Sequence, residues 1–227
     1  LNSILLLSRV LADNQDNELT EDHVESAQAI YSSGSDLLSL INDILDLSKV
    51  ESGKMELHVE EVNLEDLAGS LERTFRPLAE DKKLSLTVEV VDGLPKSIET
   101  DRQRMEQIVK NFFTNALKFT SKGSITLSIG RPDDASGFDP KRTVSFSVID
   151  TGIGIAEDKQ KQIFEALQQA DGTTSRKYGG TGLGLSIAKE LAGFMGGKIR
   201  LKSREGGGST FALYLPEEME AGREQRA

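Results

Sequence analysis

The sequence predicts an α+β protein in two parts: an antiparallel helical hairpin forming a dimeric four-helix bundle, followed by an α/β sandwich domain with a mixed sheet. Two observations carry this. Charge is uneven, because residues 1–66 hold fifteen Asp or Glu against three Lys or Arg, whereas the rest of the 227-residue chain is close to balanced. The hydrophobic period changes nearby, from heptad spacing before Gly53 to strand-like alternation after it.

Composition narrows the function classes. Hydrophobic residues make up 37% and charged residues 28%, the mix of an ordinary globular chain. No cysteine is present, which excludes disulfides, thiolate zinc sites and cysteine nucleophiles and suits a reducing cytosol, so a cytoplasmic place is expected. His23 and His58 are the only histidines, too few for a multi-imidazole metal site. The acidic first part argues against nucleic acid, which requires a basic footprint. Ile4-Leu5-Leu6-Leu7 is too short for a membrane span or a signal peptide; whether a parent protein is membrane-anchored stays open.

In chain order, residues 1–12 read as the end of a helix and Asp13–Thr20 as a polar connector. Thr20 can cap a second helix, with Glu21 and Asp22 favourably placed in its first turn. Val24, Tyr31, Leu38 and Leu45 form one heptad row, and Ile30, Leu37 and Ile44 another. Two adjacent rows on a helix about 45 Å long make a stripe wider than a lone hairpin buries, which a two-fold four-helix bundle would cover. Gly53 is expected to close this helix. Beyond it, 55–64 and 84–91 alternate like strands around a helix at 64–80. Residues 101–120, 158–170 and 183–195 read as helices, and 124–130, 143–149, 198–203 and 209–216 as strands. The expected domains are 1–54 for the helices and 55–217 for the sandwich, with 218–227 a tail or linker.

Four clusters carry chemistry. In Asn111–Thr120, Asn111, Asn115 and Lys118 share one helix face, which is either a plain polar face or neutral amide oxygens beside a cation, suited to hydrated magnesium and phosphate. Asp150-Thr151-Gly152-Ile153-Gly154-Ile155 follows a strand; it is either a tight turn or a backbone approach to a ligand, with Asp150 able to accept from an exocyclic amine. Tyr178-Gly179-Gly180-Thr181-Gly182-Leu183-Gly184 opens into a helix, where unpaired amides favour phosphate; a P-loop Gly-Lys-Ser/Thr is missing. Gly206–Phe211 reads by itself as a hairpin turn.

In order and spacing these clusters closely resemble the sensor histidine kinases. Asn111–Thr120 looks like the family's N box, Asp150–Ile155 its G1 box, Ile163–Asp171 its F box, Tyr178–Leu185 its G2 box and Gly206–Phe211 its last glycine box, while residues 1–54 look like the dimerisation and phosphotransfer helices. The run from Gln168 to Leu191 is typical of hybrid kinases. The resemblance implies ATP and Mg²⁺ as cofactors, a homodimer through residues 1–54, and a response-regulator receiver domain as partner. Asn115, supported by Asn111, would hold Mg²⁺; Lys118 would pair with phosphate; and Phe119 would line the pocket. Asp150 would read the adenine amine, with Gly152 and Gly154 admitting the ring and Ile155 beside it. Residues 156–180 would form a lid anchored by Phe164. Tyr178, Gly180, Thr181, Gly182, Leu183 and Gly184 would wrap the phosphates, and Thr210 would sit near adenine. ATP-hydrolysing relatives carry a general-base glutamate where Asn111 stands, so the resemblance implies transfer to a protein rather than to water.

Two departures stand out. A phosphoacceptor box of the form His-Glu-Leu-Arg-Thr-Pro is expected immediately before Leu1 and is not in this sequence; His23 and His58 do not match it. A trimmed kinase core is therefore expected. Leu167 stands where the F box usually has a second aromatic, which alters lid packing. The competing readings are an ATP-hydrolysing clamp or serine-directed kinase of the same superfamily, and a nucleotide-binding interaction module or pseudokinase.

Overall fold

A computed structural model describes residues 1–14, 18–52, 55–133, 137–165 and 183–219. The chain divides into two compact units, Leu1–Gly53 and Lys54–Ala227.

The first unit is a helical hairpin of α1 (Asn2–Asp13) and α2 (Glu21–Glu51). Asn14 ends α1 in the left-handed region at φ 37°, which asparagine tolerates. Its side chain closes the connector by donating to Leu19 O at 3.2 Å and accepting the Leu19 N–H at 3.1 Å. Thr20 accepts the His23 N–H at 3.4 Å, capping α2 as expected. Gly34 has no side chain where Leu5 crosses: a Cβ there would stand 2.8 Å from Leu5 Cδ2. Even beside α1 an apolar groove stays open, about 430 Å³ and lined by Ile4, Ala29, Ile30, Ser33, Gly34 and Leu37. Ile30, Leu37 and Ile44 are each about half exposed, so the second heptad row lies bare within this unit. The expected stop at Gly53 lies outside the described residues; α2 ends at Glu51 with Ser52 at its C-cap. No described helix is long and apolar enough to cross a membrane.

The second unit runs β1 (Glu60–Asn63), α3 (Leu64–Asp81), β2 (Ser85–Val90), β3 (Ser97–Thr100), α4 (Arg102–Phe119), β4 (Ser124–Gly130) and β5 (Thr143–Asp150). After β5 come α5 (Gly184–Phe194), β6 (Lys198–Ser203) and β7 (Ser209–Pro216). Five strands form a mixed sheet in the order β2-β4-β5-β7-β6, with only β2 and β4 parallel; β1 and β3 pair separately. Asn63 caps α3 by accepting from Glu65 and Asp66 N–H at 3.0 and 3.1 Å. Asp101 caps α4 through the Arg104 N–H at 2.9 Å, while its second oxygen accepts the His58 N–H at 3.0 Å.

Strand registers align one apolar face: Leu86 opposite Ile125, Leu127 opposite Val148, Phe146 opposite Leu213, and Val148 opposite Phe211. The helices cover it with fully buried Phe112 and Phe113, and Phe113 stacks on Phe75 of α3 at 4.3 Å between ring centres.

Three expectations change. Only 60–63 of the 55–64 segment is strand, because the His58 N–H goes to a helix cap and Met55 is buried without a ladder. The expected helix at 158–170 is, within its described part, turns and one 3₁₀ turn at Gln162–Phe164. Gln160 is held there by donating to Ile155 O and Ser203 O at 2.9 and 3.0 Å. The tail begins later than 218: Glu218 bridges Glu99 beside β3, and buried Met219 takes the Thr100 hydroxyl on its sulfur at 3.4 Å.

Phe113→Ala removes one half of an inter-helix stack at a fully buried position. It is expected to destabilise the second unit by about 3–5 kcal/mol, read as a lower urea midpoint with an unchanged slope.

Candidate functional site

The site grows from α4. A four-residue step puts Asn111 and Asn115 one above the other, and the Asn115 Nδ2 donates to Asn111 Oδ1 at 3.1 Å. That bond fixes both amides and uses Asn115 as the donor, which leaves its carbonyl oxygen to serve a cation. One turn on, the Lys118 ammonium lies 5.0 Å from the centre of the Phe119 ring. Burial holds the Lys118 pKa below the ordinary lysine value, so an incoming anion would recover lost solvation. Among the described residues no group of three or more His, Asp or Glu stands together to hold a metal. Magnesium does not need one, since it takes few protein ligands and completes its shell with water and phosphate; the paired amides fit that role.

The second wall is the end of the sheet's apolar face. Along one row the register sets Ile125, Asp150, Ser209 and Ser203 side by side, so an apolar surface terminates in a carboxylate and two hydroxyls. Asp150 is 7% exposed. Burial raises its pKa; the Gly152 and Ser209 N–H groups and the adjacent Thr120 hydroxyl pull the other way. The Gly152 N–H reaches Asp150 Oδ1 at 2.8 Å.

Around this row two distant loops interlock. The Ile155 N–H donates to Ser203 Oγ at 2.8 Å, and the Gly206 N–H to Ile153 O at 2.7 Å. Gly154, at φ 67°, lies so close to the β6–β7 turn that a Cβ would stand 1.9 Å from Arg204 O. This gives Gly154 a packing reason for being glycine, different from the ring-admitting role anticipated for it. Gly184 opens α5 against α4: a Cβ there would meet Asn111 Nδ2 at 2.0 Å. Leu183, 3% exposed, caps the same helix. Phe164 packs edge-on to Phe211 at 6.4 Å, and Phe211 stacks on Phe112 at 5.4 Å. Tyr178, Gly180, Thr181, Gly182 and Leu167 lie outside the described residues.

Thr210 is the site residue that the register moves. It pairs with Ile149, on the opposite face of the sheet from Asp150, and Ser209 takes the place beside the carboxylate. Strand parity contains the signal: Phe211 is buried against α4, so position 209 shares its face and position 210 does not. The Thr120 hydroxyl is the other group not singled out beforehand; only the close return of the chain after β5 brings it to Asp150. A cleft of about 800 Å³ lies alongside, lined by Ile155, Gln160, Ser203 and Arg204 among others, but without Asp150 or any residue of α4. The cleft and the polar row share Ser203.

Known proteins match along the whole chain. Residues 1–53 match the His Kinase A (phospho-acceptor) domain, and residues 100–219 match the histidine kinase-, DNA gyrase B- and HSP90-like ATPase family. The autoinducer 2 sensor kinase/phosphatase LuxQ of Vibrio cholerae is 37% identical over 219 residues, 96% of this chain and 25% of that protein. Hybrid signal transduction histidine kinase B of Dictyostelium discoideum is also 37% identical, over 95% of this chain and 11% of its own length. The chain thus spans a quarter or less of these two relatives. The crystal structure of full-length ShkA in complex with AMPPNP superposes with a TM-score of 0.76 at 33% identity, covering 97% of this chain and 44% of that one. The chain belongs to the sensor histidine kinases, within the histidine kinase-, DNA gyrase B- and HSP90-like ATPase family.

Proposed function

We propose that this kinase core binds Mg·ATP on the α4 face and transfers its γ-phosphoryl group to a histidine nitrogen of an acceptor box that this sequence does not contain, from which it passes to an aspartate of a receiver domain. The observation that carries this reading is the buried Asp150 carboxylate at the end of an apolar face, where a base could stack and donate its amine. The AMPPNP bound to ShkA supports it. Asn115 and Asn111 would hold Mg²⁺, which supplies charge neutralisation on the phosphates. Lys118 orients the phosphate chain and Phe119 faces the base. Leu183 and Gly184, with the glycine loop before them, present helix-end amides to the phosphates. Gly152 gives close access past Asp150. Transfer breaks the bond from the γ-phosphorus to the ADP oxygen and forms one to the imidazole nitrogen, so the protein's task is alignment and charge balance. Asn111 cannot take a proton from water, which favours a protein acceptor.

The exposed row Ile30, Leu37 and Ile44 and the groove beside α1 support a homodimer through residues 1–54. The chain's acidic character and lack of a basic footprint support a protein partner rather than nucleic acid, and its lack of cysteine suits a reducing cytosol.

Asp150→Asn tests the base site and its energetics together. The folded-state pKa of Asp150 is raised above the reference 3.8, so stability falls as pH climbs from that value through the folded-state pKa. Asparagine cannot ionise, so the variant should melt higher than wild type at pH 7 and no longer do so below pH 4. By calorimetry the same variant should lose Mg·AMPPNP binding; retained affinity would refute the base-reading role. Asn115→Asp removes the amide that donates to Asn111 and sets a negative charge against the phosphates; it is expected to weaken magnesium-dependent binding about tenfold, or ~1.4 kcal/mol, and equal affinity with and without Mg²⁺ in wild type would remove the metal assignment. Ile44→Glu should shift the chain from dimer to monomer in sedimentation equilibrium, and a wild-type monomer at 100 times the working concentration would end the bundle proposal.

A further inference from the structure

β3 is short, yet both of its edges are taken. On one side β1 pairs with it. On the other lies the chain after β7: the Glu99 N–H donates to Glu217 O at 2.8 Å, and the Met219 N–H to Glu99 O at 3.2 Å. Thr100, fully buried, gives its hydroxyl to the Met219 sulfur. Asp101 thus follows directly on backbone held from two sides. The residue is 3% exposed, and its two carboxyl oxygens serve different segments. Oδ1 accepts the Arg104 N–H at 2.9 Å and caps α4; Oδ2 accepts the His58 N–H, 43 residues earlier in the chain, at 3.0 Å. Buried Met55 fixes the beginning of that earlier segment, which in sequence joins the unit to the helical hairpin. From the cap, α4 runs to the site as one body. Met105, Ile108, Val109 and Phe112 are at zero exposure along one face, and Glu106 accepts from Arg102 at 2.9 Å and from Lys110 at 2.7 Å. Asn111 stands about 15 Å along the helix from the cap.

We propose that Asp101 is a positioning residue shared by the α4 face and residues 55–59, so that nucleotide held by α4 tightens the grip on His58 and that grip strengthens nucleotide binding. Linkage makes the two effects equal in size. The chemistry explains why a carboxylate stands here. Serine or asparagine caps a helix about as well as aspartate does, through one oxygen. Neither leaves a second acceptor for His58, and asparagine would turn an amide N–H toward it. Two oxygens are needed because two segments share the side chain. This deepens the reading of the α4 face as the Mg·ATP site and rests on it.

Hydrogen exchange at the His58 and Arg104 amides of the whole chain, with and without saturating Mg·AMPPNP, tests the coupling beside calorimetry. In the wild type, bound nucleotide should slow both amides, that of His58 about fivefold. Asp101→Ser and Asp101→Asn should keep the Arg104 amide protected and leave His58 exchange indifferent to nucleotide. Both should bind Mg·AMPPNP more weakly by the same factor of about five. A wild-type His58 amide that ignores bound nucleotide overturns the proposal without any variant. Undiminished affinity in both variants overturns it too, and makes Asp101 a helix cap alone. A wild-type chain that binds no Mg·AMPPNP in calorimetry overturns instead the nucleotide reading of α4, and the coupling falls with it.

Discussion

A carboxylate at the end of an apolar sheet face is the constraint around which this domain is arranged. Ile125, Leu127, Ile129, Val144, Phe146 and Val148 are all at or near zero exposure, and Asp150 follows them on the same face. An ionised group there needs hydrogen-bond donors that do not themselves require water. Backbone supplies them: the Gly152 N–H from the turn just after the strand, and the Ser209 N–H from the neighbouring strand. To bring both to one carboxylate, the loop after β5 must fold back over the β6–β7 turn. The bonds from Ile155 to Ser203 and from Gly206 to Ile153, with the close approach of Gly154 to Arg204, are the means. Two loops about 50 residues apart are thus one structural object, and burial of a single charge requires it.

The same economy of space joins α4 to α5. Gly184 admits the Asn111 amide, and Phe112, Phe211 and Phe164 form a continuous aromatic contact from helix to sheet to the segment after β5. A displacement of that segment must therefore be felt at Phe211, two residues from the Ser209 that faces Asp150. The polar groups of α4 and the carboxylate of β5 are held by one packed core rather than by separate supports. This is the physical basis for treating Asn115, Lys118 and Asp150 as parts of one site.

Most of this was legible wherever local chemistry decides. Thr20 caps α2, and strand alternation in 124–130, 143–149 and 209–216 survives almost residue for residue, because each pattern reports a face that a core must cover. Legibility fails where a distant partner decides. β3 is four residues long and exists because β1 pairs with it; Ser97–Thr100 alone has no period to read. The alternation of 55–59 is genuine, yet Asp101, 43 residues on, captures the His58 N–H and no ladder forms. In the site, strand parity could have preferred Ser209 to Thr210. Nothing local could have shown that Thr120, 30 residues before Asp150 in the chain, ends beside it.

In the proposed function, Asn111 is the residue that would favour transfer over hydrolysis. In an ATP-hydrolysing site this turn of the helix must present a base to water, which demands a carboxylate with room to receive a proton. Here the position is a neutral amide, its oxygen occupied by Asn115 and its nitrogen pressed against the start of α5. The side chain also serves structure: it orients the Asn115 amide and packs against Gly184 at the start of α5. A glutamate introduced at Asn111 would lose the amide donor facing Gly184 and put a carboxylate in its place at the start of α5. Among the described residues, this turn of α4 therefore carries an amide held in the packing of two helices and no base.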